Sequence, residues 1–449
     1  MKRYDLPPRA PCGRALLLLA TLGALVLPPL ARAQETPEPE EACEVGTTLT
    51  PGLCLSTGFI IDAFGNLRGG LRQDVSAVGQ VRLGLDADLG QLAGMQGWSI
   101  GASAVGIYGK QPGEALTGSL APPSNIEALS SPRLMELWLQ REVEGWGSLR
   151  IGQLAADTEF AVADTASNLV NGTFGWPALF AEALPSGGPA YPFAAPGVRL
   201  ALGEPEEGSG LRFGLFSGDP GGRYGEDTDP QRHNRYGINF STAGGAFMIG
   251  EAVFGAPTPP DGPRPWVVKL GGWYHTGGFD SQRRDARGLS LADPASSGEP
   301  RRYGNNYAGY GIGEATLWRG EGQSLAAFAR IFAAPADRNL VSWQVDAGFA
   351  WAGPFGRRQD TLSFGASQAR IGHDARGLDR DTQAFSDPFR PVRRHETVLE
   401  VNYDLPVGPV HLRPLAQWYI NPAAGEPDEE TGRKLRDAVL LGLRVQAEF

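Results

Sequence analysis

Residues 439–449 read VLLGLRVQAEF, and this stretch decides the fold. Every second position is apolar, while the positions between them are mostly small or polar. The apolar set is Val439, Leu441, Leu443, Val445, Ala447 and Phe449, and the other set includes Gly442, Arg444, Gln446 and Glu448. A period of two residues is that of a β-strand, whose side chains point alternately to opposite faces. The stretch therefore predicts a strand with one apolar and one polar face.

The same alternation recurs along most of the chain, and residues 80–89 (QVRLGLDADL) repeat it most clearly. From about Gly58 to Phe449, short alternating segments are separated by clusters of Gly, Pro, Asp, Asn and Ser, which is typical of strands and turns. The predicted strands are near 58–67, 77–89, 98–109, 133–142, 147–153, 197–202, 210–217, 246–255, 267–276, 306–318, 324–333, 341–351, 361–370, 396–405, 410–420 and 437–449. Sixteen is an even number, as bacterial outer-membrane barrels require.

The polar face of these strands distinguishes a membrane barrel from a secreted β-sandwich or propeller. A soluble β-protein would carry many Lys and Glu side chains on its outer face, but here the polar face is dominated by Gly, Ser, Arg and acids. Apolar side chains facing lipid and polar ones lining a water-filled lumen explain this pattern. A last strand ending in Phe449 also resembles the signal that the barrel-assembly machinery recognises. We therefore predict an all-β protein, a transmembrane antiparallel β-barrel of about 16 strands over residues 58–449, embedded in outer-membrane lipid.

The N-terminal region has two predicted parts. Residues 1–33 combine a basic start, an apolar run and Ala31-Arg32-Ala33, which predicts a cleaved signal peptide and export to the outer membrane of a Gram-negative bacterium. Residues 34–57 begin with QETPEPEEA and form an acidic, proline-rich segment. After residue 33 no apolar run approaches the roughly 18 residues of a membrane-spanning helix, so a helical membrane protein is excluded.

Charge and cysteine content narrow the chemistry further. Removing the five basic and one acidic residue of the signal leaves 35 Lys+Arg and 49 Asp+Glu, a formal charge of −14. Such an acidic chain is unsuited to bind nucleic acid. Cys43 and Cys54 remain after processing, and in an oxidising compartment they are predicted to form one local disulfide, with two free thiols as the alternative.

A long connection, residues 157–197, carries DTEF, NGTFGWPALF and LPSGGPAYPFAAPG, whereas residues 279–303 read as a charged, flexible extracellular loop. Together with SNIEA (124–128), RLMELWL (133–139), LRIGQLAADTEF (149–160), FSGDP (216–220) and KLGGWYHTGGF (269–279), the aromatic connection resembles the carbohydrate-selective porins of the OprB type. The resemblance implies a 16-stranded barrel with inward-folded constriction loops and selective, passive diffusion of glucose and related sugars into the periplasm. It leaves assembly as a homotrimer open.

Candidate residues for solute contact come from this loop and from strand phase. Trp176 is the expected stacking platform for mono- or oligosaccharides. The alternative is that it packs the loop or lies at the membrane interface, where tryptophan is common. Four charged residues oppose apolar neighbours on their strands and are expected to face the lumen, at the constriction or elsewhere on the wall: Arg82, Glu136, Arg150 and Arg199. Four polar residues flank or lie in the loop and are expected to orient it or touch the solute: Asp157, Glu159, Asn168 and Asn171.

No pattern in the chain indicates an enzyme, a cofactor or a metal site. The five histidines are scattered, and neither a zinc-protease nor a serine-hydrolase motif is present. Two other functions compete with sugar passage. One is a structural or adhesive barrel, and the other is a general channel or one that prefers cations or organic acids, which the acidic charge favours.

Overall fold

The computed structural model describes residue 43 and residues 46–205, 208–222, 229–259, 263–428 and 432–449. The predicted signal peptide (1–33) and residues 34–42 of the predicted acidic segment lie outside the described residues.

Nineteen strands are present in the described residues, and sixteen of them close into one barrel. The strands are β1 (Thr47–Thr50), β2 (Leu53–Arg68), β3 (Val75–Asp88), β4 (Trp98–Gly109), β5 (Ser131–Val143), β6 (Gly147–Leu154), β7 (Ala195–Gly203), β8 (Gly210–Ser217), β9 (Ala246–Gly255), β10 (Trp266–His275), β11 (Phe279–Asp285), β12 (Pro300–Tyr303), β13 (Asn306–Gly320), β14 (Gln323–Ala333), β15 (Val341–Ala352), β16 (Thr361–Ile371), β17 (His395–Val407), β18 (Val410–Ile420) and β19 (Ala438–Glu448). Strands β2–β10 and β13–β19 each pair antiparallel with their neighbours, and β19 pairs with β2.

The predicted all-β barrel of sixteen strands is confirmed, and each predicted strand corresponds to one barrel strand. The first barrel strand, β2, begins at Leu53, five residues before the predicted start of the barrel at Gly58. The last residue continues the pairing of β19 with β2. The Phe449 N–H donates to the Thr57 carbonyl over 2.7 Å, and the Thr57 N–H donates to the Phe449 carbonyl over 2.9 Å. Closure leaves no free sheet edge, so every barrel strand has a partner on both sides.

Side-chain alternation divides the barrel wall into an outer and an inner face. Val81, Leu83 and Leu85 of β3 are exposed, whereas Gln80 of the same strand is only 1% exposed. A soluble barrel would bury the leucines and expose the glutamine. This part of the wall is therefore inverted, with apolar side chains outside and polar side chains inside, as a lipid environment requires.

The helices are short and lie in the connections between strands. They are α1 (Leu89–Ala93), α2 (Ala178–Ala183), α3 (Pro230–His233) and α4 (His373–Phe385). Single helical turns occur at Gly113–Thr117, Ala156–Thr158, Ala166–Asn168, Gly172–Phe174, Pro185–Gly187, Pro354–Gly356 and Pro422–Gly425. Within the part of the chain that the structure describes, no helix has the length and apolarity needed to cross a membrane.

Connections at the two ends of the barrel differ in length. At one end, called here the long-loop end, lie residues 110–130, 155–194, 218–245, 276–305 and 372–394. At the other, called the terminal end, most connections are short, such as 144–146, 321–322 and 408–409, and Phe449 lies there too. Outer-membrane barrels place long loops outside the cell and short turns in the periplasm, so the long-loop end corresponds to the extracellular side.

The prediction of a flexible loop over residues 279–303 is wrong. Strands β11 and β12 pair as a hairpin within this region. The Asp285 side chain is fully buried and accepts hydrogen bonds from the backbone N–H groups of Leu289 and Ser297. The Arg283 guanidinium forms an ion pair of 2.7 Å with Asp381 of α4. Local side-chain hydrogen bonds and this ion pair order a segment whose composition is that of a flexible loop.

Candidate functional site

The aromatic connection 155–194 lies inside the barrel and packs against one side of the inner wall. Phe180 of α2 is fully buried, and its ring centroid lies 5.3 Å from that of Phe332, 5.7 Å from that of Tyr310 and 5.8 Å from that of Trp273. These edge-to-face contacts join the loop to β10, β13 and β14. We call the part of the lumen filled by this cluster the packed side.

Glutamates of the inner wall hold the same loop through its backbone. Each carboxylate accepts hydrogen bonds from loop N–H groups that would otherwise be buried without partners. The bonds join Glu251 to Ala161 (3.0 Å), Glu314 to Asp164 (3.0 Å) and Thr165 (2.7 Å), and Glu400 to Val170 (2.7 Å) and Asn171 (2.8 Å). The loop conformation is therefore specified by the wall as well as by its own sequence.

Arg330 of β14 holds the loop through its carbonyl groups. Its guanidinium donates to the carbonyl oxygens of Thr173 (2.8 Å), Gly175 (3.0 Å) and Ala161 (3.3 Å). It also forms an ion pair of 2.6 Å with Asp346, and both side chains are completely buried. The positive charge is thus neutralised by Asp346, and its remaining donors bind the loop.

The opposite side of the lumen contains a cavity of about 870 Å³, which we call the lumenal cavity. It lies between strands β2–β5 and the loops 110–130 and 155–194. Its polar and aromatic lining includes Gln80, Arg82, Asp86, Ser103, Asn125, Glu127, Glu136, Asp157, Trp176, Tyr191 and Glu448. Four of the residues predicted from sequence are therefore brought together here: Arg82, Glu136, Asp157 and Trp176.

Trp176 lines the cavity in a fixed orientation. Its indole Nε1–H donates to the Gly187 carbonyl over 2.9 Å, and its ring meets Phe180 edge to face with centroids 5.1 Å apart. The side chain remains partly accessible. Trp176 therefore packs the loop and also presents part of its ring to the cavity, and its action as a stacking platform for sugar stays a prediction.

Arg82 is the predicted arginine that reaches the cavity. Its Nε–H donates to the Gln80 side-chain oxygen over 2.5 Å, and its Nη1 lies 3.8 Å from the carboxylate of Glu448. The side chain is 45% exposed, and that of Glu448 is 57% exposed. The guanidinium therefore keeps donors available to a solute.

Arg150 and Arg199 face the interior, as strand phase predicts, but they do not line the lumenal cavity. The two residues are direct partners across β6 and β7, so their like charges lie side by side. Glu159 lies between them, with ion pairs of 3.0 Å to Arg150 and 2.7 Å to Arg199. Arg150 also stacks over the Trp138 ring at 4.1 Å. This cluster neutralises the repulsion and fixes the start of the loop.

Asn171 is fully buried and holds the loop together instead of facing a solute. Its Nδ2–H donates to the Tyr419 hydroxyl over 2.7 Å, and its Oδ1 accepts from the Thr173 N–H over 3.1 Å. Asn168 is also engaged within the loop, where its side chain donates to the Thr165 carbonyl. Both side chains form hydrogen bonds within the loop, and the two roles that the sequence offered for them, orienting the loop or touching the solute, stay predictions.

Two carboxyl groups of the cavity are unusually basic. Burial raises the pKa of Glu127 to about 8, although the Gly113 N–H donates to its carboxylate. Burial also raises the pKa of Asp157 to about 7, against a hydrogen bond of 2.8 Å from the Tyr191 N–H and together with the nearby charge of Glu136. Removal from water disfavours the charged form of each group. The charge of the cavity therefore changes near neutral pH.

The disulfide position lies at the terminal end of the cavity. A disulfide joins Cys43 to Cys54, with Cα atoms 5.8 Å apart, and both residues line the lumenal cavity. Among the described residues, no group of three or more His, Cys, Asp or Glu side chains is placed to hold a metal ion.

Several residues of the site were not predicted from the sequence. Strand phase was sufficient to place Gln80 and Glu448 inside the barrel, because they alternate with Val81 and Ala447. Glu127 and Tyr191 come from loops, whose positions no periodicity reveals. Tyr191 closes the cavity wall because its hydroxyl donates to the Ile126 carbonyl over 2.6 Å, linking the two loops.

A family model and one solved structure agree with this architecture. The model of the carbohydrate-selective porin, OprB family, matches residues 72–449. The high-pH structure of Pseudomonas putida OprB is similar at a TM-score of 0.77 and 18% identity, covering 89% of this chain and 94% of that one. The low-pH structure of the same protein has a TM-score of 0.47 at 14% identity (89% and 93% covered), and a mutant Rh. blastica porin has 0.45 at 12% (88% and 100%). A search among curated protein sequences finds no significant match.

Proposed function

This chain belongs to the carbohydrate-selective porin, OprB family, and on that premise we propose that it carries mono- or oligosaccharides, such as glucose and related sugars, by passive diffusion across the outer membrane of a Gram-negative bacterium. The family and the fold are those of channels, which require no catalytic group. The observation that carries the proposal is the lumenal cavity, where the Trp176 indole lies among charged and amide side chains.

Sugars need two kinds of contact when they leave bulk water. Their hydroxyl groups require hydrogen-bond partners to replace lost water, and their C–H faces favour an aromatic surface. Arg82 and Asn125 offer donors, Glu136 offers acceptors, and Trp176 offers the ring. The volume of about 870 Å³ falls within the range of small-molecule sites. A channel also needs weak binding, so that the solute leaves as readily as it enters.

Arg150 and Arg199 have a different proposed role. Glu159 engages both guanidinium groups, so they support the loop and shape the local field, while Arg82 contacts the solute. The distinction is testable because field effects alter ion selectivity, whereas direct contacts alter sugar binding.

The test is sugar flux through liposomes that contain the Trp176→Ala protein. We expect glucose flux, relative to a neutral solute of similar size that cannot stack, to fall, and sugar block of single-channel current to weaken by roughly five-fold, since an aromatic contact contributes about 1 kcal/mol. Trp176→Phe keeps a ring but loses the hydrogen bond to Gly187, so it should retain most of the sugar block.

Trp146→Ala is the matched control, because Trp146 lies in the turn between β5 and β6 and is 73% exposed. It should behave as the unmodified protein. Unchanged glucose flux and unchanged block in Trp176→Ala would show that Trp176 is a packing residue and would remove the main support for a sugar site here.

A second function, a cation-preferring channel, is favoured by the charges of the same cavity. Its lining contains five acidic side chains, Asp86, Glu127, Glu136, Asp157 and Glu448, but one arginine, Arg82. Two measurements separate the two proposals. The reversal potential in a potassium chloride gradient reports cation selectivity, and the block of single-channel current by sugar reports sugar binding. Strong cation selectivity without any sugar block would favour the second function.

A further inference from the structure

A separate pocket lies on the outside of the barrel at the long-loop end. Arg370 of β16 and His395 of β17 are direct partners in the sheet. Their chain neighbours Ala369, Ile371 and Glu396 are buried on the lumenal face. Since side chains alternate along a strand, Arg370 and His395 point outward, away from the lumen.

Helix α4 forms the other wall of this pocket. Arg376, Arg380 and Gln383 are spaced four and three residues apart, which places them on one face of the helix. The pocket has a volume of about 530 Å³, and we call it the arginine pocket. Its lining consists of Arg370, Arg376, Arg380, Gln383, Val392, Arg394 and His395.

The positive charges of the arginine pocket lack a protein counter-charge. Among the described residues, none of its four arginines forms an ion pair, because the three acids of α4 have other neighbours. Asp374 lies 3.3 Å from the His373 ring. Asp379 pairs with Arg390 and Arg393, and Asp381 pairs with Arg283. Burial, and then the charges of the neighbouring arginines, lower the pKa of Arg376. Such a concentration of like charge is costly unless an anion occupies the pocket.

We propose that the arginine pocket binds the phosphate groups of a phosphorylated glycolipid in the outer leaflet. Guanidinium groups bind phosphate through paired N–H donors, and several of them around one pocket favour a multiply charged anion over a neutral sugar. The pocket lies outside the lumen, so a solute in transit does not meet it. The inference rests on the proposed outer-membrane location but not on sugar passage.

The depth of the pocket supports a lipid headgroup as the source of the phosphate. The Arg370 guanidinium lies over the Trp343 ring at 5.7 Å. Trp343 lies on the outer face of β15, opposite in phase to the buried Gln344. Tryptophans on the outer face mark the boundary between hydrocarbon and headgroups. Arg370 is the direct sheet partner of Trp343, so it lies at that boundary.

The experiment measures lipid binding to the full-length barrel in detergent by native mass spectrometry. The probes are diphosphoryl lipid A, the same lipid after phosphate removal, and inorganic phosphate. We expect diphosphoryl lipid A to bind and the dephosphorylated lipid to bind at least ten-fold more weakly. The variant Arg376→Gln/Arg380→Gln should lose at least ten-fold in affinity for diphosphoryl lipid A. Both substitutions lie on α4, outside the barrel strands, and retained heat-modifiable migration on gels verifies folding.

The matched control is Arg301→Gln/Arg302→Gln, which removes the same charge from exposed residues of β12 at the same end of the barrel. It should bind diphosphoryl lipid A as the unmodified protein does. Equal affinity in the α4 variant and the control would overturn the site. Displacement of the lipid by equimolar inorganic phosphate would identify free phosphate as the ligand and overturn the lipid source.

Glucose flux measured on the same preparations separates this inference from the proposed function. Loss of lipid binding with normal flux in the α4 variant supports a lipid site that is independent of transport. Absence of sugar flux in the unmodified protein, with lipid binding intact, would contradict the proposed function alone.

Discussion

The packed side and the lumenal cavity are two halves of one lumen, and they use the same residue types in opposite ways. On the packed side, Arg330 and Asp346 are completely buried and hold the loop 155–194. At the cavity, the side chains of Arg82 and Glu448 are about half exposed, and the Arg82 Nη1 lies 3.8 Å from the Glu448 carboxylate. The comparison shows that a channel of this fold is narrowed by attaching a loop to one wall, which leaves the polar groups of the opposite wall accessible.

The energetic difference between these two ion pairs follows from their solvation. Removing one partner of a buried pair leaves a charge without water or counter-charge and costs roughly 3–5 kcal/mol. An exposed pair contributes about 0–1 kcal/mol, because water screens it and its side chains remain flexible. We therefore expect the packed side to govern stability and pore width and the cavity to govern selectivity.

The largest effect is expected from Arg330→Met. The substitution leaves the buried Asp346 without its counter-charge and removes three hydrogen bonds to the loop backbone. It should destabilise the attached loop by roughly 3–5 kcal/mol. Single-channel conductance should rise and sugar selectivity should fall as the loop leaves the wall. Conductance in planar bilayers and thermal unfolding check this.

Arg319→Met is the control for this variant, since Arg319 is an exposed arginine near the β13–β14 turn at the terminal end. It should leave both measurements unchanged. Unaltered conductance of the Arg330→Met barrel would show that the aromatic cluster alone holds the loop. The difference between the two sides of the lumen would then come from aromatic packing and not from the buried ion pair.

The next effect concerns pH and sharpens the description of the cavity. Because Glu127 and Asp157 have pKa values raised to about 8 and about 7, both are largely protonated at pH 6 and ionised at pH 9. Cation selectivity should rise across this range. The raised values also mean that both groups stabilise the folded state below their ordinary pKa, and that this stability is lost as the pH rises through 7 to 8.

Reversal potentials at pH 6, 7.5 and 9 test the pH effect. The variant Glu127→Gln/Asp157→Asn keeps hydrogen-bond acceptors without the charges, so its selectivity should be nearly flat over the same range. A pH dependence in this variant equal to that of the unmodified protein would assign the titration to other groups.

A smaller effect is expected from Arg82→Met, the counterpart of Arg330→Met in the cavity. Stability should change by about 0–1 kcal/mol because the pair with Glu448 is exposed. Cation selectivity should rise, since the variant removes the arginine of the cavity lining. Thermal unfolding and reversal potential measure the two outcomes. A loss of stability as large as that of Arg330→Met would erase the distinction between the two sides.

The smallest effect on the barrel is expected from Cys43→Ser/Cys54→Ser. The disulfide closes a segment with a sequence separation of 11, and chain entropy predicts a local contribution of about 2–3 kcal/mol. The barrel should form and unfold as before, because its strands β2–β10 and β13–β19 pair all the way round without this bridge. Heat-modifiable migration on gels provides the measurement. Failure to form a barrel would show that the bridge has a role beyond its own segment.

The alternation of side chains along each strand predicted which residues face the lumen. Each residue lies on one of two faces, and the apolar face is the one that contacts lipid. This alternation placed Arg82 and Glu136 inside the barrel, together with Arg150 and Arg199. It did not reveal which inward charges reach the cavity. Arg150 and Arg199 are engaged by Glu159, a loop residue whose position depends on contacts elsewhere in the lumen.

The amino-acid sequence by itself determined the sixteen strands and their inward and outward faces, whereas the loop that enters the lumen was implied by the resemblance to a porin family. The tertiary structure decided which side that loop fills, because its attachments join residues far apart in the chain, such as Val170 to Glu400 and Thr173 to Arg330. It also ordered the 279–303 region, through Arg283 and Asp381. Periodicity describes neighbours along one strand, whereas the cavity results from charges and carbonyl groups that meet only when the barrel closes.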